Sequence, residues 1–147
     1  MAKSVSPSAV LFAFAFWGAG LLWSPARASD SLYDDLGQKP GLDRISASLV
    51  ARVHADARTK DYFEGVADKR LTEKLSEQFC ELAGGPCTYT GHSMKQAHAG
   101  LHITRAAFNA LVEDLQAAMD ENKVPYAAQN RLLAKLAPMS HDIVEAP

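Results

Sequence analysis

The feature that most constrains this chain is the spacing of its apolar residues, which recur every three or four positions and nowhere alternate convincingly. Leu42, Ile45, Leu49 and Val53 make one such stripe, and Leu71, Leu75, Phe79 and Leu82 make another. A third runs through Phe108, Leu111, Val112, Leu115 and Met119, and a fourth through Leu132, Leu133 and Leu136. At about 3.6 residues per turn each stripe falls on one helix face, whereas a half-buried strand needs a period of two. The expected fold class is all-α.

Punctuation between the stripes sets the order of elements. Asp30 to Leu36 reads as a short helix closed by Gly37 and by a Lys39-Pro40-Gly41 turn. Asp56 to Lys60 breaks the next helix, and Tyr62-Phe63 follows as an aromatic pair in a corner. Gly84-Gly85-Pro86 stops the helix that carries Phe79. A short helix around Met94 ends at Gly100, Thr104 is placed to cap the long helix after it, and Pro125 suits the first turn of the last one. Pro138 breaks that helix and leaves Ile143 and Val144 on a trailing piece.

The chain divides into a leader, residues 1–28, and one domain, residues 29–147. Lys3 gives a basic start, Val10 to Trp23 is almost wholly apolar, and Ala26-Arg27-Ala28 precedes Ser29 as a cleavage signature. This is the pattern of a signal peptide, so export to the periplasm is expected, with no stable membrane span after cleavage; an uncleaved N-terminal anchor is the alternative. Cleavage leaves 119 residues, enough for one core, and shifts the formal charge from −2 to −4. A mildly acidic chain without a basic stripe argues against nucleic acid as a partner. Cys80 and Cys87 are the only cysteines; in an oxidising compartment they could pair across the Gly84-Gly85-Pro86 turn, or remain one buried and one exposed thiol. No C-x-x-C-H occurs, which excludes haem attachment through cysteines.

Chemistry concentrates at His98. Met94, His98 and Leu101 share one helix face, which puts an imidazole into an apolar wall suited to a flat hydrophobic cofactor. On spacing alone a satisfied core histidine fits as well. His102, one turn on, allows a two-histidine metal site, but no H-E-x-x-H or cysteine pair completes a zinc set.

From Leu32 to about Val144 the chain resembles the truncated haemoglobins, the group I type in particular. The resemblance is carried by Ser31-Leu32-Tyr33-Asp34-Asp35-Leu36-Gly37, Tyr62-Phe63-Glu64-Gly65, Ala83-Gly84-Gly85-Pro86, Tyr89-Thr90-Gly91, Met94-Lys95-Gln96-Ala97-His98, Gly100 to Thr104, and Phe108. It implies a two-over-two helical sandwich around haem b, with His98 as the proximal iron ligand. It also implies that Phe63 stacks on the porphyrin and that Met94 and Ile103 pack near its proximal face; Lys95 either pairs with a propionate or faces water as a solvated lysine. The family's first glycine motif is usually a pair; here it reads Gly37-Gln38, so a turn of different shape is expected.

On the distal side, the places where much of the family carries a gas-binding tyrosine and glutamine fall on Val50 and Leu75, with Leu71 as the gate. Three apolar side chains there would offer no hydrogen bond to a bound gas, a contact worth about 1–3 kcal/mol. Lys74 lies where some members supply a side chain that binds the iron, and the competing reading is a lysine reaching a propionate or water. His54 is a weaker distal candidate, His92 has no assigned role, and His141 lies where some relatives bond a haem vinyl covalently.

The resulting expectation is an exported haem b protein that binds a diatomic gas (O₂, NO or CO), with NO detoxification among its reactions. Dioxygenation of NO needs an electron donor, an external reductase that so short a chain lacks. The alternative is a six-coordinate haem protein, closed by Lys74, in electron transfer or redox sensing.

Overall fold

The computed structural model describes residues 31–145; the expected leader and its cleavage site lie outside the described residues. Helices follow one another in the order α1 (Leu32–Asp35), α2 (Gln38–Ala55), α3 (Asp68–Leu82), α4 (Met94–His98), α5 (Arg105–Glu121), α6 (Tyr126–Leu136) and α7 (Ser140–Ile143), with 3-10 turns at Lys60–Phe63 and Ala137–Met139. No strand occurs among the described residues. Helix α2 packs on α3 and on α5, while α6 reaches α3 and α5, which gives the two pairs of a two-over-two sandwich. No helix among the described residues is long and apolar enough to cross a membrane.

Burial follows the stripes. Leu42, Ile45, Leu49 and Val53 of α2 are fully buried and meet Phe79 and Cys80 of α3, Leu115, Ala118 and Met119 of α5, and Leu132 of α6 in the main core. A smaller cluster gathers Ile103, Ala107 and Ile143, with Tyr62, Met94, Phe108 and Met139 against it. Thr104 caps α5 by accepting from the Ala107 amide at 3.1 Å, as its position predicts. Between α2 and α3, Ser76 donates to Asp43 at 2.6 Å and accepts from Lys39 at 3.1 Å, so a buried hydroxyl is satisfied.

One local expectation is corrected. The Lys39-Pro40-Gly41 turn is helical and forms the first turn of α2. Proline is tolerated there because first-turn amides have no intrahelical acceptor. Glycine is required at 41 because a Cβ would lie 2.1 Å from the Leu36 carbonyl oxygen. At the Gly37-Gln38 motif both residues are left-handed: Gly37 has φ +79° and Gln38 has φ +56°. Gln38 holds this left-handed geometry while its amide donates to Asp34 at 2.9 Å.

The Cys80–Cys87 disulfide spans the turn after α3, with Cα atoms 5.8 Å apart. It encloses Gly85, whose missing side chain lets the Tyr33 ring and the Cys80 sulfur approach to 2.5–2.7 Å of where a Cβ would stand.

A left-handed non-glycine residue costs about 1–2 kcal/mol, partly offset in a glycine variant by the freedom gained in the unfolded chain. Gln38→Gly is therefore expected to stabilise the protein by about 0.5–1 kcal/mol in urea or thermal unfolding. A less stable variant would show that the Gln38–Asp34 bond outweighs the backbone strain.

Candidate functional site

Between the two helix pairs lies a cavity of about 450 Å³, within the range of about 300–1,000 Å³ typical of cofactor and ligand sites. Its wall is overwhelmingly apolar. Helices α3 and α5 each supply more of it than any other helix, and the corner after α2, the α4 segment and the 137–143 stretch close it.

His98 sits in that wall with Met94 and Leu101, the face expected from their spacing. Its Nδ1 lies 2.7 Å from the Met94 carbonyl oxygen. A carbonyl can only accept, so Nδ1 carries a proton and donates, and in the neutral ring Nε2 is the nitrogen with the lone pair. Fixing the tautomer in this way makes an imidazole a competent metal ligand. Helix α4 is set locally by a capping box: Ser93 accepts from the Gln96 amide at 3.2 Å and the Gln96 side chain accepts from the Ser93 amide at 3.2 Å.

Phe63, Leu71, Lys74, Leu75 and Ile103 also line the cavity. Val50 and Lys95 do not. Val50 is buried, but α2 turns Leu49 and Val53 toward the cavity, and a residue adjacent to Leu49 is rotated about 100° away. Lys95 is exposed for the same reason, one position past Met94 on a helix whose 94 and 98 positions face inward. His54 lies off the wall, its ring edge-on to Phe63 at 6.1 Å and its Nε2 3.0 Å from Asp68. His141 is exposed and off the wall, which this segment builds from Ala137, Met139 and Ile143. His102 is exposed too, and among the described residues no group of three histidine, cysteine or acidic side chains could hold a metal ion.

Lys74 is held at the edge of the cavity as a cation. Its Nζ donates to both carboxylate oxygens of Glu77, at 3.0 and 2.8 Å, and to the Thr90 hydroxyl. Thr90 in turn donates its amide and hydroxyl to Glu77, at 3.1 and 2.8 Å. Hydrogen bonds from Lys74 and then Thr90 hold the Glu77 carboxyl down at about 2. An ammonium has no lone pair, so ligation of a metal by Lys74 would require breaking this clamp and losing a proton.

Arg70, Tyr89 and Gln78 line the wall without a role assigned from the sequence. Arg70 brings a second cation to the wall. Tyr89 donates to the His92 carbonyl at 2.9 Å, and burial pushes its phenol up. Gln78 is buried in the wall and donates to the sulfurs of Met94 at 3.3 Å and Met139 at 3.7 Å. Its signal was available: Gln78 stands seven positions after Leu71 and three after Leu75, a polar residue on an apolar stripe.

Residues 31–145 match the family model described as bacterial-like globin. The chain is 34% identical over 113 residues to the group 1 truncated hemoglobin of Mycolicibacterium paratuberculosis, covering 77% of this chain and 83% of that protein. It is 29% identical over 100 residues to the group 1 truncated hemoglobin of Tetrahymena pyriformis, covering 68% and 83%. The crystal structure of the truncated hemoglobin from Tetrahymena pyriformis in its Fe(III) form superposes with a TM-score of 0.74 at 26% identity, over 78% of this chain and 97% of that one.

The Glu77 clamp carries a pH signature. A carboxyl held below its ordinary value of 4.5 contributes stability that is fully present above that value and is lost as pH falls toward 2. Urea unfolding of the parent and Glu77→Gln should therefore differ most near neutral pH and converge as the pH drops through 4.5 toward 2. A difference that stays constant with pH would show that the clamp does not depend on the carboxylate charge.

Proposed function

Because this chain belongs to the bacterial-like globins, and among them to the group 1 truncated haemoglobins, we propose that its cavity takes haem b with His98 Nε2 as the proximal ligand. So bound, the haem supplies an iron that coordinates a diatomic gas, O₂, NO or CO. The observation that carries this reading is the His98 Nδ1–Met94 carbonyl bond, which makes Nε2 the lone-pair nitrogen of the neutral ring in an apolar wall. Phe63, Met94 and Ile103 supply flat and apolar contact, and Arg70 and Lys74 are the cations available to carboxylates at the cavity edge.

Leu71 and Leu75 exclude water but donate no hydrogen bond, and the Gln78 amide is committed to two methionine sulfurs. A gas that depends on a donor, as O₂ does, is therefore held briefly, while CO and NO lose less. Oxidation of NO to nitrate would draw its electrons from a separate reductase. The alternative, a site closed by Lys74 for electron transfer or redox sensing, has the Glu77–Thr90 clamp against it. Export to the periplasm is part of the proposal, supported by the Ala26-Arg27-Ala28 signature and by the disulfide, which suits an oxidising compartment.

Titrating haemin into the apoprotein tests the core of this reading. The wild type is expected to give the sharp Soret band of histidine-ligated haem, and His98→Ala to lose it, with restoration by added imidazole. An unchanged spectrum in His98→Ala would sink His98 as the ligand. In the same titration Lys74→Ala should leave the ferric spectrum unaltered; a low-spin wild type turning high-spin in this variant would establish the six-coordinate alternative.

Leu75→Gln tests the apolar distal wall. One added hydrogen bond of about 1.4 kcal/mol slows O₂ dissociation about tenfold, with a much smaller effect on CO. Flash photolysis and stopped-flow mixing would read both rates, and equal effects on the two gases would refute the proposed selectivity.

A further inference from the structure

Helix α4 is five residues long and buries none of them, so it has little stability of its own. Its last residue is His98, and the chain that follows is held by the far end of the protein. Glu145 lies 45 residues beyond Gly100 and accepts from the Gly100 amide through Oε1 at 2.9 Å. Through Oε2 it accepts from the His102 amide, also at 2.9 Å. Its own amide donates to the Ile103 carbonyl at 3.0 Å.

Gly100 and His102 both take left-handed backbone angles, φ +77° and +52°, and turn their amides toward one carboxylate. The His102 ring Nδ1 lies 3.6 Å from Oε2. These backbone bonds, Gly100 first, hold the Glu145 carboxyl below its usual range, so it is ionised at neutral pH. Just before Glu145, Ile143 is buried against Ile103 and Ala107, with Met94 of α4 packed on the same cluster. The C-terminal segment thus grips both sides of His98: Met94 by apolar contact and residues 100–103 by hydrogen bonds.

We propose that Glu145 is a positioning residue for His98, a clamp that fixes where the proximal imidazole stands and so sets the strength and uniformity of its bond to the haem iron. This rests on the haem reading of His98. Glu145 does not line the cavity; it acts through the 99–103 backbone, whose two unusual φ angles have no other side chain among the described residues holding both amides.

Two measurements on full-length mature protein test the clamp, one without haem and one with it. In the apoprotein, amide exchange at Gly100 and His102 should quicken about tenfold or more in Glu145→Ala, with α2 and α5 unchanged as the control for folding. In the haem-loaded ferrous protein, the iron–histidine stretching band in resonance Raman spectra should shift and broaden in Glu145→Ala. Glu145→Gln, which keeps one acceptor oxygen, should fall between the two. Faster exchange with an iron–histidine band that does not move would overturn the inference while leaving the haem reading intact. Unchanged exchange at Gly100 and His102 would overturn it as well. The absence of any iron–histidine band in the wild type would overturn the haem reading, and the inference with it.

Discussion

The bond from His98 Nδ1 to the Met94 carbonyl does two things at once, and the rest of the site is arranged around it. It closes one turn of α4, and it decides which imidazole nitrogen is free. A helix this short cannot hold such a bond by propensity alone. The capping box at Ser93 fixes its start, the Ile143 cluster fixes its inner face, and Glu145 fixes the backbone that follows. A histidine delivered by so small an element is oriented almost entirely by what surrounds it.

A chain of this size builds its apolar wall by asking each helix to serve two neighbours. Helix α3 sends Phe79 and Cys80 into the main core and Leu71, Leu75 and Gln78 toward the cavity. Helix α5 likewise sends Ala118 and Met119 to the core and Phe108, Leu111 and Val112 to the cavity. The half-buried leucines of α3 are not poorly packed residues; they are the wall. The disulfide and Gly85 hold the end of α3 against Tyr33, which keeps the turn leading to Thr90 close enough for the Lys74–Glu77 clamp to form.

Much of this was legible in residue order. Period and punctuation placed each helix, and Thr104 was readable as a cap because a hydroxyl before a helical stripe has one obvious use. Rotation within a helix was harder to read. Position matching pointed to Val50, yet adjacent residues differ by about 100°, and the packing of α2 on α3 and α5 turns Leu49 and Val53 inward instead. Gln38 is a further case: a non-glycine residue takes a left-handed φ of +56°, which residue order alone does not announce.

By itself the sequence determined the helices, their order, the apolar stripes and the single histidine set among apolar residues, because these depend on neighbours three and four positions apart. Only the tertiary structure decided that Gln78 lies between Met94 and Met139, that Lys74 is clamped by Glu77 and Thr90, and that Glu145 holds the loop after His98. Apart from the Lys74–Glu77 pair, which is three residues apart on one helix, those contacts join residues 16 to 61 positions apart in the chain, and no local pattern encodes them. They arise from packing short helices around a shared cavity, which brings hydrogen-bonding groups from distant segments within reach and leaves few of them free to stay unpaired.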